Sequence, residues 1–219
     1  MADPALRLRR FWDRHADDWT RAVRSNGIAS RDAGTDAAIV EAVLRGLPPR
    51  GRVLDVGCGE GWLVRALDAV GVEARGVDGS AALVEAARQA GGRFGVLDFE
   101  AAAADPARLG PPVDVAVFNF ALLSDDVTGI LRAAARRSPR VVLQTLHPTA
   151  LDPPYADGWR DEPFAGVDGV FEPMPWYGRT FASWVRTLDA AGLRLAEAME
   201  PLHPETGAPL SLLLVAETR

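Results

Sequence analysis

The chain has 219 residues, a length that predicts a single domain, residues 1–219, with a sizeable core. Hydrophobic residues make up 48% and charged residues 25% of it, which is ordinary for a globular protein. The net charge of −6 and the scattered basic residues argue against a nucleic-acid partner. Because no apolar run is long enough to cross a bilayer and Cys58 is the only cysteine, we expect a cytoplasmic protein without membrane association.

The N-terminal part of the chain forms a predicted helical extension, residues 1–35. Apolar and aromatic side chains recur at helical spacing over residues 5–24, which predicts one amphipathic helix. A polar stretch follows, in which Arg31 either pairs with a ligand carboxylate or is solvated. Thr35 or Asp36 is positioned to cap a further helix. The apolar stripe of the first helix consists of Leu8, Phe11, Trp12, His15, Trp19 and Val23.

From Arg52 to His147, short β-rich runs alternate with helical patterns. This alternation predicts an α/β fold with a parallel sheet and helices on both faces. The predicted strands are nearly continuous in apolar residues, as expected when both faces of a sheet are buried. A helix over residues 181–192 then leads to two last strands, and the short "PETGAP" between them predicts a hairpin with an antiparallel final strand.

Residues 148–180 break this alternation and are rich in proline, glycine and aromatic residues. They follow the carboxyl end of a predicted strand, which is where doubly wound sheets build their sites. We interpret them as an insertion or lid that covers a substrate. The alternative is a packed surface excursion without a role in the site.

The stretch "VLDVGCGEG", residues 53–61, predicts a strand followed by a glycine-rich loop that cradles a nucleotide-like ligand. The dinucleotide fingerprint needs a third glycine where this chain has Trp62 or Val64, so the spacing fails in both registers. Asp55 and Glu60 would repel a diphosphate and attract an ammonium or a sulfonium. We therefore expect a cationic ligand.

Two further acidic residues follow the next two predicted strands. Asp78, in "GVDGS", could accept hydrogen bonds from both ribose hydroxyls, which indicates adenosine without distinguishing NAD from S-adenosylmethionine. Asp98, in "VLDFE", could accept from an adenine amino group while Phe99 lies against the ring. On its own Asp98 would be interpreted as a turn-initiating residue, but it is the third acidic residue at consecutive strand ends.

The motifs "VLDVGCGEG", "GVDGS", "VLDFE" and "VDVAVFNFALL" together resemble those of the class I S-adenosylmethionine-dependent methyltransferases, over residues 36–147. The resemblance implies a Rossmann-like, doubly wound sheet of seven strands in the order 3-2-1-4-5-7-6, with the last strand antiparallel. It implies S-adenosylmethionine as cofactor and S-adenosylhomocysteine as product. The implied cofactor-binding residues are Asp55, Gly57, Gly59 and Gly61 beside the methionine moiety, Asp78 and Gly79 at the ribose, Asp98 and Phe99 at the adenine, and Asn119 and Phe120 at the methyl group.

The extension and the insertion are similar to those of methyltransferases that act on small molecules, which implies a small-molecule acceptor. Asn119 is followed by Phe-Ala-Leu, whereas methylases of exocyclic base nitrogens have Pro-Pro-aromatic at this place. Methylation of nucleic-acid bases is therefore disfavoured.

Two groups of residues are candidates for chemistry and for acceptor binding. His147 ends the predicted fifth strand and is either a general base or a structural histidine that anchors the turn. His15 and His203 are interpreted as structural, and the histidines and Cys58 do not have the spacing of metal ligands. The aromatic residues of the insertion form either a wall of the acceptor site or a miniature core; they are Tyr155, Trp159, Trp176 and Tyr177.

The sequence therefore predicts an S-adenosylmethionine-dependent methyltransferase that acts on a small molecule. A non-catalytic S-adenosylmethionine-binding protein and a nicotinamide-dependent oxidoreductase are the alternatives, and the glycine spacing opposes the second. The identity of the acceptor, the atom that is methylated and the oligomeric state stay open.

Overall fold

A computed structural model describes residues 3–151 and 153–219; residues 1, 2 and 152, of the predicted extension and insertion, lie outside the described residues. Within the described part the helices are α1 (Pro4–Arg14), α2 (Ala16–Arg24), α3 (Asp36–Leu44), α4 (Trp62–Ala69), α5 (Ala81–Gln89), α6 (Phe99–Ala104), α7 (Thr128–Ala135) and α8 (Phe181–Ala190). The strands are β1 (Arg52–Val56), β2 (Glu73–Asp78), β3 (Phe94–Val96), β4 (Val115–Asn119), β5 (Arg140–Thr145), β6 (Gly158–Glu162), β7 (Met174–Gly178), β8 (Leu193–Met199) and β9 (Leu212–Thr218).

Seven strands form one sheet in the order β3-β2-β1-β4-β5-β9-β8. Strands β1 to β5 pair in parallel, and β9 is antiparallel to both β5 and β8. Numbered within this sheet alone, the order is 3-2-1-4-5-7-6, so the predicted topology and the antiparallel last strand are confirmed. The carboxyl ends of β1, β2 and β4 lie side by side at one edge, because Asp55 is opposite Gly76 in β2 and Val117 in β4.

Alternate residues of the central strands supply two hydrophobic cores, one on each face of the sheet. Leu54, Phe118 and Leu143 pack with α6, α7 and α8 on one face. Val53, the next residue along β1, packs with α3 and α4 on the other face. Both faces are therefore buried, as the nearly continuous apolar runs predict.

The extension differs from its prediction. One continuous helix over residues 5–24 is wrong, because the chain turns at His15, where φ is −101° and ψ is 14°, and two helices result. Asp17 and Asp18 then lie in the first turn of α2, where carboxylates stabilise a helix. The break lets Phe11 face the insertion while Trp19 reaches the glycine loop.

The insertion contains an antiparallel hairpin, β6–β7, that packs against the extension. Phe11 and Leu8 of α1 form a buried cluster with Met174 and Trp176 of β7. The backbones also meet, since the amide of Asp168 donates to the carbonyl of Gly27 at 2.7 Å. These contacts join the predicted extension and insertion into one cover over the carboxyl edge of the sheet.

None of the helices in the described residues is long and apolar enough to cross a membrane.

The cover depends on Phe11, whose ring is 2% exposed and stacks on Phe164 with a centroid separation of 5.2 Å. We expect Phe11→Ala to lower the free energy of opening of α1 by about 3–5 kcal/mol, the usual cost of truncating a buried aromatic ring. Amide hydrogen exchange should therefore accelerate in α1 and in residues 163–171 and stay unchanged in β4 and β5.

The control is Val185→Ala, which shortens a partly exposed side chain on α8. Equal acceleration throughout the sheet after Phe11→Ala would show that α1 belongs to the main cooperative unit and is not a separate cover.

Candidate active site

A cavity of about 790 Å³ lies at the edge where β1, β2, β3 and β4 end. Helices α1 and α2 and the residues between β6 and β7 cover it, as Trp12, Trp19 and Phe164 line its walls. Of the ten predicted cofactor residues, all except Asp55 and Gly61 line this cavity. The eight are Gly57, Gly59, Asp78, Gly79, Asp98, Phe99, Asn119 and Phe120.

Asp78 holds the glycine loop beside the cavity. Its Oδ2 accepts from the amide of Gly59 and its Oδ1 from the amide of Ser80, both at 2.8 Å. Burial raises the pKa of Asp78, and the amides of Ser80 and Gly59 oppose this rise. The carboxylate has a second lone pair on each oxygen for a ligand, so one side chain serves both the loop and the cavity.

Side-chain oxygens on three neighbouring strands have no hydrogen-bond partner within the described part of the chain. They are Oδ1 of Asp55, on β1, Oδ1 of Asn119, at the end of β4, and Oε1 of Gln144, on β5. Burial, with a smaller contribution from Asp78, raises the pKa of Asp55 to about 8. Because a buried acceptor without a partner is costly, a ligand that donates hydrogen bonds fits the positions of Asp55 and Asn119.

Two glycines of the loop, Gly59 and Gly61, have different surroundings. At Gly59, φ is +54° and a Cβ would find only the Trp19 indole nitrogen, at 3.8 Å, so the backbone borders open space. At Gly61, φ is +85° and a Cβ would lie 2.4 Å from the ring of Phe94. Gly61 is thus required by the packing of the start of α4, whereas Gly59 leaves room in the cavity.

The adenine-side residues also have roles in the fold. Asp98 caps α6, because its Oδ1 accepts from the amide of Ala101 at 2.6 Å, which matches the turn-initiating interpretation. Asp98 and Phe99 nevertheless line the cavity. At the end of β4, Phe120 has a φ of +51°, which is unusual for a residue other than glycine and costs conformational energy.

Glu60 does not present a free negative charge to a ligand, so this part of the charge argument is wrong. Its side chain is fully buried, and Arg24 binds it from α2 with an Nε–Oε2 distance of 2.9 Å. Arg65 of α4 binds both of its oxygens, at 2.7 and 2.8 Å. Asp55 is likewise protonated below about pH 8, because burial disfavours its charged form.

His147 lies outside the lining of the cavity that the described residues form. Its Nε2 is 2.9 Å from Oε1 of Glu200, and its Nδ1 accepts from the amide of Thr149 at 3.1 Å. It therefore caps the short turn Pro148–Ala150, which matches the structural alternative. Its role as a general base stays a prediction that this geometry does not support.

The four predicted aromatic residues of the insertion are also absent from the described lining. Trp159 and Tyr177 form an edge-to-face pair across the hairpin, with centroids 5.6 Å apart. Trp176 is buried in the cluster under α1, and the hydroxyl of the exposed Tyr155 accepts from the amide of Phe181. These contacts match the miniature-core alternative, and the acceptor-binding role stays a prediction.

Other aromatic rings line the cavity, and the sequence did not assign them to it: Trp12, Trp19, Trp62 and Phe164. Helical spacing marked Trp12 and Trp19 as buried but could not show what they face. Arg31 lies over the Trp62 ring at 4.4 Å and pairs with Asp36 at 2.6 Å. It is neither solvated nor free for a ligand carboxylate, because Asp36 already neutralises it.

Arg179 joins the insertion to the loop after β4. This residue is 4% exposed, and its Nη2 donates to the carbonyls of Ser124 and Asp125, at 2.6 and 2.8 Å. It also lies over the rings of Tyr177 and Trp184, each at 4.9 Å, and burial lowers its pKa. Because Ser124 and Asp125 line the cavity, Arg179 fixes part of its wall.

The arrangement defines a Rossmann-like protein with a cavity at the carboxyl ends of its strands, which is where such sheets bind their ligands. A family model described as "Methyltransferase domain" matches residues 31–197, which is more than half of the chain. The chain belongs to this family, and the resemblance to class I S-adenosylmethionine-dependent methyltransferases is thereby confirmed. A comparison with curated proteins gives no match.

Solved structures share the fold at low identity. Magnesium protoporphyrin IX methyltransferase from Synechocystis PCC 6803, with bound S-adenosylhomocysteine, is 19% identical with a TM-score of 0.67, covering 99% of this chain and 100% of that chain. An S-adenosylmethionine-dependent methyltransferase from Mesorhizobium loti is 22% identical with a TM-score of 0.57, covering 81% and 96%. The CcbJ methyltransferase from Streptomyces caelestis is 19% identical with a TM-score of 0.59, covering 84% and 88%.

Acidic, cysteine and histidine side chains do not cluster in threes as metal ligands would anywhere in residues 3–151 and 153–219.

If Glu60 serves the loop and not the ligand, its loss should affect stability more than binding. We expect Glu60→Gln to lower the free energy of unfolding by about 3 kcal/mol, because Arg24 and Arg65 lose the charge that both of them bind. Urea unfolding measures this change, and calorimetry with S-adenosylhomocysteine on the folded variant measures binding.

The matched control is Glu73→Gln, since Glu73 pairs with Arg93 at the surface and should contribute about 1 kcal/mol or less. A Glu60→Gln protein with normal stability and lost binding would instead make Glu60 a ligand-binding residue.

Proposed function

We propose that the chain transfers a methyl group from S-adenosylmethionine to a small-molecule acceptor. The observation that carries this proposal is the row of hydrogen-bond acceptors near the ends of four adjacent strands, all of which except Asp55 line the cavity. They are Asp55 on β1, Asp78 on β2, Asp98 after β3 and Asn119 on β4. Two of the three in the lining, Asp78 and Asp98, are carboxyl groups, which suits a ligand that carries positive charge.

The residues around the cavity fit the parts of this donor in order. Asp78, with Gly79 beside it, binds the ribose hydroxyls, and Asp98 and Phe99 bind the adenine. The partnerless oxygens of Asp55 and Asn119 accept from the ammonium of the methionine moiety. When bound, S-adenosylmethionine supplies a methyl group on a positively charged sulfur.

The protein's own contribution is alignment and exclusion of water. Helices α1 and α2 and the insertion enclose the space above the strand ends, and Arg179 fixes the loop after β4. Phe120, in a strained conformation next to Asn119, is held there by its amide, which donates to the carbonyl of Gln144 at 2.8 Å. A strained residue kept in place by its neighbours is typical of functional sites.

The covered cavity supports a small molecule as the acceptor and disfavours a polymer. The net charge of −6 also disfavours a nucleic acid. A cytoplasmic location stays a prediction, and so does the single-domain organisation.

Two measurements test the proposed function. Calorimetry should detect binding of S-adenosylhomocysteine and no binding of NAD. Incubation with methyl-labelled S-adenosylmethionine and a panel of small acceptors should then transfer label. Binding without transfer to any acceptor would favour the non-catalytic S-adenosylmethionine-binding alternative, and binding of NAD alone would favour the oxidoreductase.

Asp78 provides the sharpest mutational test of the donor site. We expect Asp78→Ala to weaken S-adenosylhomocysteine binding by roughly 2–4 kcal/mol, because two charged hydrogen bonds to the ribose are lost. Some stability should be lost too, since the amides of Gly59 and Ser80 lose their acceptor. Calorimetry and urea unfolding separate the two effects.

Asp68→Ala is the control, because Asp68 also accepts a backbone amide, that of Ala74, but lies outside the described cavity lining. It should lose stability and keep full affinity. If the folded Asp78→Ala protein and the wild type bind S-adenosylhomocysteine with equal affinity, Asp78 does not belong to the donor site.

The raised pKa of Asp55 makes donor binding depend on pH. A cationic ligand favours the ionised carboxylate, so affinity should rise between pH 6 and pH 8 by up to about tenfold per unit, with release of a proton. The stability of the ligand-free protein should depend on pH in the opposite direction. Asp55 ionises at a lower pH in the unfolded state than in the folded state, so the free energy of unfolding should fall as the pH rises from about 4 to 8.

Calorimetry in buffers of different ionisation enthalpy counts the released proton. In Asp55→Asn the steep pH dependence of affinity should disappear. The pH dependence that arises from the ligand's own titrating groups should remain, because it is the same for the variant and the wild type. An identical pH dependence of affinity in the variant and the wild type would mean that ligand binding does not change the ionisation of Asp55.

A further inference from the structure

Part of the cavity lining, which we call the acceptor half, comes from segments other than the strand ends that carry the donor site, and its side chains are mainly apolar. This acceptor half is formed by α1, by residues near Ile28, by the insertion and by the end of β5. Its apolar side chains include Leu8, Ile28, Leu146, Phe164, Val167 and Met174. Such walls bind the carbon skeleton of a ligand but give no favourable interaction to a charge.

The positive charges of the described lining are already neutralised. Arg9 pairs with Glu100, and Arg31 pairs with Asp36. An anionic acceptor would therefore find no free cation in this part of the molecule. The lining does not provide the bidentate arginine that carboxylate recognition usually requires.

Most carboxylates of the lining already interact with other groups of the protein. Asp3, Asp98 and Asp126 each accept from the amide of a following helical or turn residue. Asp13, on α1, is exposed, and its charge contributes to the raised pKa of Asp78. Asp125 accepts from the hydroxyl of its neighbour Ser124.

Glu162 differs from these five carboxylates because it is partly buried in the lining, whereas all five are exposed, and it has no ion pair among the described residues. It is the last residue of β6 and is partly buried. Its Oε1 accepts from the amide of Phe164 at 3.0 Å, which orients the side chain. Asp161, one residue earlier on the strand, instead pairs with Arg7 at 3.6 Å, outside the cavity.

We propose that the methyl acceptor is an apolar small molecule with a basic amine, which Glu162 recognises as an ammonium group. The proposal rests on the proposed methyltransferase function and names the acceptor class of that site. Glu162 is partly buried beside apolar side chains, where an ammonium group can form a charge-assisted hydrogen bond with it. An alcohol leaves that charge uncompensated, and an acid adds repulsion.

Matched ligands test this inference by binding, without the need for turnover. The protein saturated with S-adenosylhomocysteine is titrated with 2-phenylethylamine, 2-phenylethanol and phenylacetate, and with the same three groups on a naphthyl ring. We expect the amine of each set to bind at least tenfold more tightly than its alcohol, and the acid to bind most weakly.

Two substitutions at neighbouring positions, each of which removes one negative charge, distinguish a local role of Glu162 from an effect of the protein's net charge. Glu162→Gln keeps an oxygen that can accept from the amide of Phe164, and it should weaken amine binding about 10- to 100-fold while alcohol binding stays unchanged. Asp161→Asn removes the same charge one residue away but outside the cavity, so it should leave every affinity within about twofold.

Failure of this proposal is distinct from failure of the proposed function, because S-adenosylhomocysteine binding is measured first. Alcohols or acids that bind as well as amines would overturn it, and so would the absence of amine binding to the loaded wild type. Weaker S-adenosylhomocysteine binding in Glu162→Gln would assign Glu162 to the donor and overturn it as well.

Discussion

The structure depends on the hydrogen bonds that the carboxylate of Asp78 accepts from the amides of Gly59 and Ser80. These bonds join the glycine loop after β1 to the turn after β2, so the floor of the cavity is fixed across two strands. Glu60 completes the arrangement, because Arg24 and Arg65 bind it from α2 and α4. The same loop that borders the ligand space is therefore tied to the sheet, to the extension and to the following helix.

The cover of the cavity is built from two segments that are far apart in sequence. Phe11 of α1 stacks on Phe164 of the insertion, and residues 27–29 pair with residues 166–168. Arg179 continues the connection to the loop after β4, whose carbonyls it binds. Both segments contribute to one buried cluster, which contains Leu8 and Phe11 as well as Met174 and Trp176, so each segment packs against the other. A shared cover of this kind couples enclosure of a ligand to the packing of both segments.

The sequence predicted the sheet, its order and the floor of the cavity because local patterns carry that information. Apolar runs marked β1 and β4, and acidic residues at strand ends marked Asp78 and Asp98. It missed the break at His15, since the helical spacing continues across it. It also missed the hairpin β6–β7, whose strands contain a proline and charged residues in place of alternating apolar residues. It also misjudged Glu60, because its partner Arg24 lies 36 positions away in the chain.

The two halves of the cavity carry negative groups for different physical reasons. On the donor side, Asp78 is stabilised by backbone amides, and Asp55 is held neutral by burial below about pH 8. A cationic ligand there gains by drawing Asp55 into its charged form. In the proposed acceptor half, Arg9 and Arg31 pair with Glu100 and Asp36, whereas Glu162 has no ion pair among the described residues. The described lining thus carries carboxyl groups and no unpaired arginine, an arrangement that disfavours an anionic ligand.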